Sequence, residues 1–496
     1  MKRQQWLWPY PQEISVEANT VPRAKAVKLT GESLAARHVA DLEQIARLTI
    51  DDNAPFTVDV QLAGGAERPE SFELSISDAG VRINGADAAG VSYAVECLLQ
   101  LLVLSRGDEG WPTVTIRDWP AYRCRAAMVD MGRSVFSLDY LKRIVRIYSR
   151  LRFNQMHLRL LDDELCGIRF DGMPFGSENP YAITMDQFAE LVRYAQDYHV
   201  DIVPELESWG HVSAITYHRP ELRGGPGMYS GSSFLICEAA IDLLTQMTDQ
   251  IVTAMPRQAT IHLGFDEAQW FPDPSMGRDY QPADLLLRYD DMLQTLGAKH
   301  GKALTMQIWA DHAGRPLHES IRDRVIIEPW MYWIKMKDWI DRAIGRYDGP
   351  GKSPWMMGVG QSAGQYRGAY HATRYFAKQA IKSENLAGLC VTLWGWNDFS
   401  RMMLSNFAGG YFAWNPFAKT DFAGEEDYES FDRTVFPIMD WWQSTFRDAY
   451  PDAIDADRGP LVRFGWYRFG DKHGQPVAPT VPRAGTLYEH DYLNEV

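Results

Sequence analysis

The chain has 496 residues, too many for one ordinary core, so two or three domains or one large barrel with an appendage are expected. Its 46% hydrophobic, 12% aromatic and 23% charged residues are those of a soluble globular protein and exclude a disordered or membrane-embedded class. With 50 Lys+Arg against 65 Asp+Glu the formal charge is −15, which argues against nucleic acid and anionic membrane surfaces as partners. Cys97, Cys124, Cys166, Cys237 and Cys390 are scattered and form no Cys-x-x-Cys spacing, so reduced, buried thiols are expected rather than a zinc or redox site. The opening MKRQQWLWPYPQEI lacks the sustained apolar stretch of a secretory peptide, and no later segment approaches the ~20 apolar residues of a membrane span. A cytoplasmic location is the expectation.

In chain order, the first 120 residues read as a small α/β domain. FTVDVQL (56–62) and SFELSIS (71–77) alternate apolar and polar side chains as strands do, a short strand covers Val81 to Ile83, and 88–104 carries apolar residues at helical spacing. Asp118-Trp119-Pro120 breaks the pattern, because proline biases its predecessor away from helix. From Tyr122 short apolar strands alternate with amphipathic helices, the pattern of parallel β/α architecture. Candidate strands are 126–130, 155–163, 201–207, 260–267, 304–311, 325–333, 355–361 and 387–396, and eight is the barrel number. Ser137 and Thr184 are placed to N-cap helices whose apolar stripes run through Leu141, Ile144, Val145, Tyr148 and Leu151, and through Phe188, Leu191, Val192 and Ala195. The expected organisation is a (β/α)8 TIM barrel over 121–420, preceded by the α/β domain and followed by a helical or irregular extension, 421–496, packed on the barrel.

In such a barrel the residues at the C-terminal ends of the strands face the active site. Charges and aromatics collect there. Asp130 and Arg133 follow the first strand; His157, Arg159, Asp162, Asp163 and Glu164 mark the second; and Glu205, Glu207 and His211 mark the third. His262, Asp266 and Glu267 belong to the fourth, Trp309, Asp311, Glu328, Trp330 and Tyr332 to the fifth and sixth, and Trp394, Trp396, Asn397 and Asp398 to the eighth. Acids with aromatics suggest sugar chemistry, in which a protonated carboxyl serves the leaving oxygen and a second group stabilises the cationic anomeric centre. Side chains of neighbouring residues on a regular strand point to opposite faces. Asp266 and Glu267 can therefore both reach a site only where the strand ends and the backbone turns, which leaves the opposite flank without a nucleophile from the enzyme.

These residues resemble glycoside hydrolase family 20, the β-N-acetylhexosaminidases. HLGFDE, 262–267, is similar to the family's His-x-Gly-Gly-Asp-Glu, and RAAMVDMGR, 125–133, matches Arg-x4-Asp-x2-Arg. FNQMHLRLLDD, 153–163, resembles Asn-x-x-His-x-His-x-x-Asp-Asp, and IVPELESWGH, 202–211, resembles Ile-Pro-Glu-x-Asp-x-Pro-Gly-His. GVRINGADAAGVSYAVECLLQLL resembles the family's preceding non-catalytic α/β domain, so the likeness spans about 20–420. It implies a retaining exo-β-N-acetylhexosaminidase that removes terminal GlcNAc or GalNAc, the substrate's own acetamido group acting as nucleophile through an oxazolinium intermediate. Asp266 would orient that group, and Glu267, its pKa raised, would be general acid and then base. Glu207, His211 and His262 would support the pair. Arg133 would grip sugar hydroxyls. His157, Asp162, Trp309, Trp330, Tyr332, Trp394, Trp396 and Asp398 would complete the pocket, with no cofactor and no metal.

Four departures stand out from the family pattern: Phe265 for the second Gly, Arg159 for the second His, Glu207 for Asp and Trp209 for Pro. Trp396 replaces a Glu that binds outer hydroxyls in many members, so GalNAc is as plausible a substrate as GlcNAc. Competing readings are a metal-dependent hydrolase using His157, Asp162, Asp163, Glu205, His211 and His262, a non-catalytic sugar-binding relative, and a two-carboxylate glycosidase on a sugar without an acetamido group. The expected partner is a small oligosaccharide or glycoconjugate, and a homodimer is possible.

Overall fold

The computed structural model describes residues 6–446 apart from 64–67, 134–135, 178, 180, 227–231, 313–316, 333–336, 362–367, 395–398 and 419–427. Two compact units emerge: one comprises the residues up to Arg123, Arg150–Arg152 and the residues from Gly410, and the other holds Cys124–Ser149 and Phe153–Gly409.

The first unit is a seven-stranded mixed sheet with helices. Its strands are β1 (Glu13–Pro22), β2 (Ala26–Gly31), β3 (Thr49–Ile50), β4 (Thr57–Leu62), β5 (Phe72–Ser77), β6 (Gly80–Gly85) and β7 (Gly110–Asp118), with α1 (Ala36–Gln44) and α2 (Ala88–Leu104). Their order in the sheet is β1-β7-β5-β6-β4-β2-β3. Helix α2 is AAGVSYAVECLLQLLVL, apolar nearly all round, and is buried from Gly90 to Leu104. Asp87 caps it by accepting the Gly90 N–H at 2.8 Å. The Asp118-Trp119-Pro120 break is also an anchor. The buried Asp118 carboxylate accepts from Arg152 Nη1 at 2.5 Å and from Trp414 Nε1 at 2.8 Å, and the guanidinium lies 4.3 Å from the Trp414 ring centre. Burial pushes the Asp118 pKa up against the pull of Arg152.

The second unit is a closed barrel of eight parallel strands. They are β8 (Cys124–Asp130), β9 (Gln155–Arg159), β10 (Asp201–Glu205), β11 (Gln258–His262), β12 (Ala303–Trp309), β13 (Val325–Glu328), β14 (Trp355–Gln361) and β15 (Leu386–Leu393). Each pairs with its neighbours in sequence, and β15 closes on β8 through Gly388↔Cys124 to Val391↔Ala127. The intervening helices are α3 (Leu138–Arg150), α4 (Met185–Asp197), α5 (Glu238–Ala254), α6 (Pro282–His300), α7 (Lys337–Tyr347), α8 (Gly368–Ala380) and α9 (Phe399–Trp414); α10 (Tyr428–Phe446) belongs to the first unit. The expected caps form: Tyr140 N–H donates to Ser137 Oγ at 3.2 Å, and Thr184 makes a reciprocal capping box with Gln187. A TIM barrel preceded by a small α/β domain is thus what the chain folds into.

All eight expected strands exist, but six end earlier than the apolar runs suggested. β9 stops at Arg159 rather than 163, β10 at Glu205 rather than 207, β11 at His262 rather than 267, β12 at Trp309 rather than 311, β13 at Glu328 rather than 333, and β15 at Leu393 rather than 396. Past these points the backbone leaves the ladder, so Asp162, Asp163, Glu164, Glu207, Asp266 and Glu267 lie beyond the strand ends, whereas Asp130, Glu205 and Glu328 are the last residues of β8, β10 and β13. Cys97, Cys166 and Cys390 are buried free thiols, whereas Cys124 and Cys237 are only partly covered. Among the described residues no helix is long and apolar enough to cross a membrane.

Candidate active site

The segment after β11 makes a contorted turn. Gly264, Phe265 and Glu267 have φ of 62°, 80° and 43°. Left-handed backbone is costly for residues with a Cβ, so packing must hold it. A Cβ on Gly264 would lie 2.0 Å from Glu207 Oε2, so no larger residue fits there. Phe265 is held by Trp209, ring centres 4.8 Å apart and edge to face, and Trp209 Nε1 donates to the Gln269 carbonyl at 2.8 Å. The turn breaks the alternation of a strand and lets adjacent Asp266 and Glu267 address one imidazole: His211 Nε2 lies 3.7 Å from Asp266 Oδ2 and 3.3 Å from Glu267 Oε2. Asp266 is buried, while the Glu267 side chain keeps 20% of its surface open.

His211, itself at φ 50°, is gripped from behind by acids. Its Nδ1 is 3.0 Å from Asp163 Oδ2 and 3.3 Å from Asp162 Oδ1. Although burial disfavours its cationic form, Asp162 and Asp266 overcome this and hold its pKa well above the ordinary histidine value. Asp163 also accepts from Ser213 Oγ at 2.6 Å and from the Ser232 N–H at 3.2 Å, pinning the loop that carries His211.

Arg159 lies at the centre of the charges. Its Nε donates to Asp162 Oδ2 at 2.6 Å, and its Nη1 is 2.5 Å from Glu205 Oε1 and 2.6 Å from Glu207 Oε1. Glu205 is driven far down by Arg159, His262 and His157 despite its burial, while burial, Asp266 and Glu205 push Glu207 well up. Arg133 is also enclosed, with Nη1 3.1 Å from Asp130, Nη2 2.8 Å from Asp162 and Nε 3.5 Å from Glu164.

The remaining expected residues divide by depth. His157, mid-strand in β9, His262 and Trp309 have almost no open surface. His157 Nε2 is 2.9 Å from Glu205 and the Trp309 indole donates to Glu205 at 2.7 Å, so these rings pack the barrel interior beneath the acids. Closer to the mouth, Trp330 Nε1 donates to Asp311 at 2.9 Å, stacks on Tyr332 at 5.2 Å, and the Tyr332 hydroxyl accepts from Trp394 Nε1 at 2.7 Å. The Trp394 ring lies 4.9 Å from the Arg159 guanidinium and 5.5 Å from that of Arg133. Trp396, Asn397 and Asp398 fall outside the described residues. Sets close enough to share a metal ion are Asp162, Asp163 and His211; Glu205, Glu207 and Asp266; His157, Glu205 and His262; and His157, Glu328 and Cys390. The arginines and indoles already engage the first three sets, and Gln307 Nε2 donates to Glu328 at 2.6 Å.

Arg159, Asp163, Glu205 and Asp311 also belong to the site, although the motifs imply no sugar-binding or catalytic role for them. Asp311 is exposed. Desolvation and repulsion from Asp266 nonetheless push its pKa up to about 7. The folded chain therefore holds this proton more tightly than the unfolded chain, and the associated stability, complete below roughly pH 4, is lost as pH rises through about 7. Asp311→Asn should accordingly gain melting temperature relative to wild type as pH increases from 4 to 8. A difference independent of pH would sink the assignment.

Two family models match the chain: "Glycosyl hydrolase family 20, domain 2" over residues 4–119 and "Glycosyl hydrolase family 20, catalytic domain" over 122–338. Among curated relatives it is 24% identical over 242 residues to N,N'-diacetylchitobiase of Vibrio harveyi, covering 42% of this chain and 27% of that protein. It is 30% identical over 164 residues to the β-N-acetylhexosaminidase of Cellulomonas fimi, covering 30% of this chain and 32% of that protein. The chain thus spans between about a quarter and a half of the length of the curated relatives it matches. Its fold is that of the Streptomyces plicatus N-acetyl-β-hexosaminidase solved with Thio-NAglucal, at TM-score 0.68 and 21% identity over 90% of this chain and 96% of that one. Flavobacterium johnsoniae chitobiase is similar too, at TM-score 0.71 and 18% identity over 92% and 74%. With both models matched in order and the Asp266-Glu267 turn following the fourth strand of an eight-stranded barrel, the chain belongs to glycosyl hydrolase family 20.

Proposed function

We propose that the chain is a retaining exo-β-N-acetylhexosaminidase that removes terminal β-linked GlcNAc or GalNAc with the substrate's acetamido group as nucleophile. One observation carries this reading. Asp266 Oδ1 is a buried acceptor beside Glu267 with no hydrogen-bond partner among the described residues, and buried polar atoms are rarely left so. An acetamido N–H is a donor of the right kind for it. Its carbonyl oxygen would then attack C1 while Glu267 protonates the departing glycosidic oxygen. The C1–O bond breaks to give an oxazolinium, and water, losing a proton to Glu267, reopens it with the β configuration restored.

The surroundings fit these roles. The imidazolium of His211, 3.3 Å from Glu267, stabilises the carboxylate left after proton donation. Glu207 and His262 support the turn from below, with His262 Nδ1 accepting the Gly264 N–H at 3.0 Å. Trp330, Tyr332 and Trp394 form the aromatic wall. For Arg133 the hydroxyl-gripping role rests on the motif, since three carboxylates already hold its guanidinium. The names of the relatives, chitobiase and β-hexosaminidase, point to the same substrate class.

Release of nitrophenol from β-GlcNAc and β-GalNAc glycosides, with inhibition by a thiazoline mimic of the oxazolinium, tests the proposal. Hydrolysis of at least one glycoside and inhibition by the mimic are expected. Hydrolysis only of sugars lacking the acetamido group, without thiazoline inhibition, would favour a two-carboxylate mechanism and overturn it.

A further inference from the structure

The four departures from the family motifs are not independent: they form two contacting pairs around the turn that carries the catalytic carboxylates. Trp209 packs on Phe265 at 4.8 Å, and Arg159 Nη1 lies 2.6 Å from Glu207 Oε1. The second pair is the more consequential. Glu205, at the end of β10, is in register with Arg159 on β9, and the guanidinium reaches Glu207, two residues further on, at 2.6 Å. Glu207 in turn underlies Gly264, so closely that a Cβ there would lie 2.0 Å from its carboxylate. Arg159, Glu207 and the Gly264 turn therefore form one continuous mechanical path ending at Asp266.

We propose that Arg159 is a positioning residue for this reaction: through Glu207 on one side and through Asp162 and His211 on the other, it holds Asp266 and Glu267 in register and supplies their fixed counter-charge. The proposal rests on the hexosaminidase reading above. The groups facing the guanidinium are the carboxyls of Asp162, Glu205, Glu207 and Asp266, which attract it, and Arg133 and His157, which it repels; the Trp394 ring covers it at 4.9 Å. Several acids crowd this buried site, and Asp162 connects Arg159 to the imidazole that touches Glu267. An arginine stays charged at every working pH, and its fork can hold two carboxylates at once. A histidine in the same place would lose its charge as pH rises.

The test compares pH profiles of kcat and KM on a β-GlcNAc nitrophenyl glycoside for wild type, Arg159→Lys, Arg159→His, Glu207→Asp and the double variant Arg159→His with Glu207→Asp. Arg159→Lys keeps the charge but loses the fork. Its kcat should fall about tenfold or more, with KM within about threefold and both pH limbs in place. In Arg159→His the alkaline limb should move down by about one pH unit or more, because the charge now titrates. The double variant restores the motif residues at both positions and should recover about tenfold over the product of the single losses, the signature of a coupled pair. An equal activity loss at all pH values in Arg159→His, no loss in Arg159→Lys, or strictly multiplicative losses in the double variant would each overturn the proposal while wild-type activity leaves the reading beneath it standing. Should Arg159→His fail to fold, the kcat-against-KM split in Arg159→Lys decides. A wild-type protein inactive on every acetamido glycoside would overturn both together.

Discussion

Glu267→Gln is expected to lower kcat on a natural β-linked acetamido oligosaccharide by about 10²–10⁴-fold, the usual worth of a positioned general acid. The amide keeps the shape and the contact with His211 Nε2, 3.3 Å away in the wild type, but has no proton to transfer. The loss should be smaller on a nitrophenyl glycoside, whose leaving group departs without protonation, and this contrast identifies an acid rather than a structural residue. The second step should suffer with either substrate, because the same carboxylate takes the proton from water. Kinetics on the two substrates, with melting temperature as a check on folding, measure the effect. Full activity of the variant on the oligosaccharide would remove Glu267 from the role.

Asp266→Asn should cost about 10²–10³ in kcat, comparable to removing one preorganised electrostatic contact in a water-poor site. The Oδ1 acceptor has no partner among the described residues, and the substitution can turn an N–H toward the acetamido N–H in its place. The lost negative charge also removes stabilisation from the developing oxazolinium. Affinity for a neutral acetamido sugar should fall less, through the lost N–H acceptor alone, whereas affinity for a thiazoline-type mimic should fall in step with kcat. Titration calorimetry of both ligands separates the two effects. Equal weakening of sugar and mimic would point instead to a collapsed turn.

Much of this arrangement was legible in the residues. Parallel barrel strands are covered on both faces and read as short apolar runs between amphipathic helices, so all eight were found. The strands of the first unit were less visible. β1 exposes most of its residues and so shows no clean alternation, and β7 opens with Gly110-Trp111-Pro112. Strand ends were overextended because Leu206 and Leu263 continue the apolar runs after the ladder stops. The hydrogen bonds past each strand end, such as Gly264 N–H to His262 Nδ1, come from side chains and are invisible in an apolar pattern.

Depth was the quantity sequence order could not supply. His157 and His262 share motifs with residues at the mouth and Trp309 ends β12, yet all three lie buried around Glu205, because in a closed barrel a shift of two residues along a strand moves a side chain from one interior layer to the next. Residues 159 and 207 were each visible as departures from a motif. That they touch follows only from the pairing of β9 with β10, which sets Glu205 beside Arg159.

The architecture, the family and the adjacent carboxylate pair are written in local periodicity and short spacings, which the unfolded chain already carries. How one side of the barrel mouth accommodates two neighbouring acids is a matter of the folded barrel. The answer is a left-handed turn after β11, held by Phe265 on Trp209 and by Gly264 on Glu207, with charge balanced by Arg159 and His211. Those contacts join strands far apart in sequence, and their strength depends on distances and desolvation that exist only once the barrel has closed.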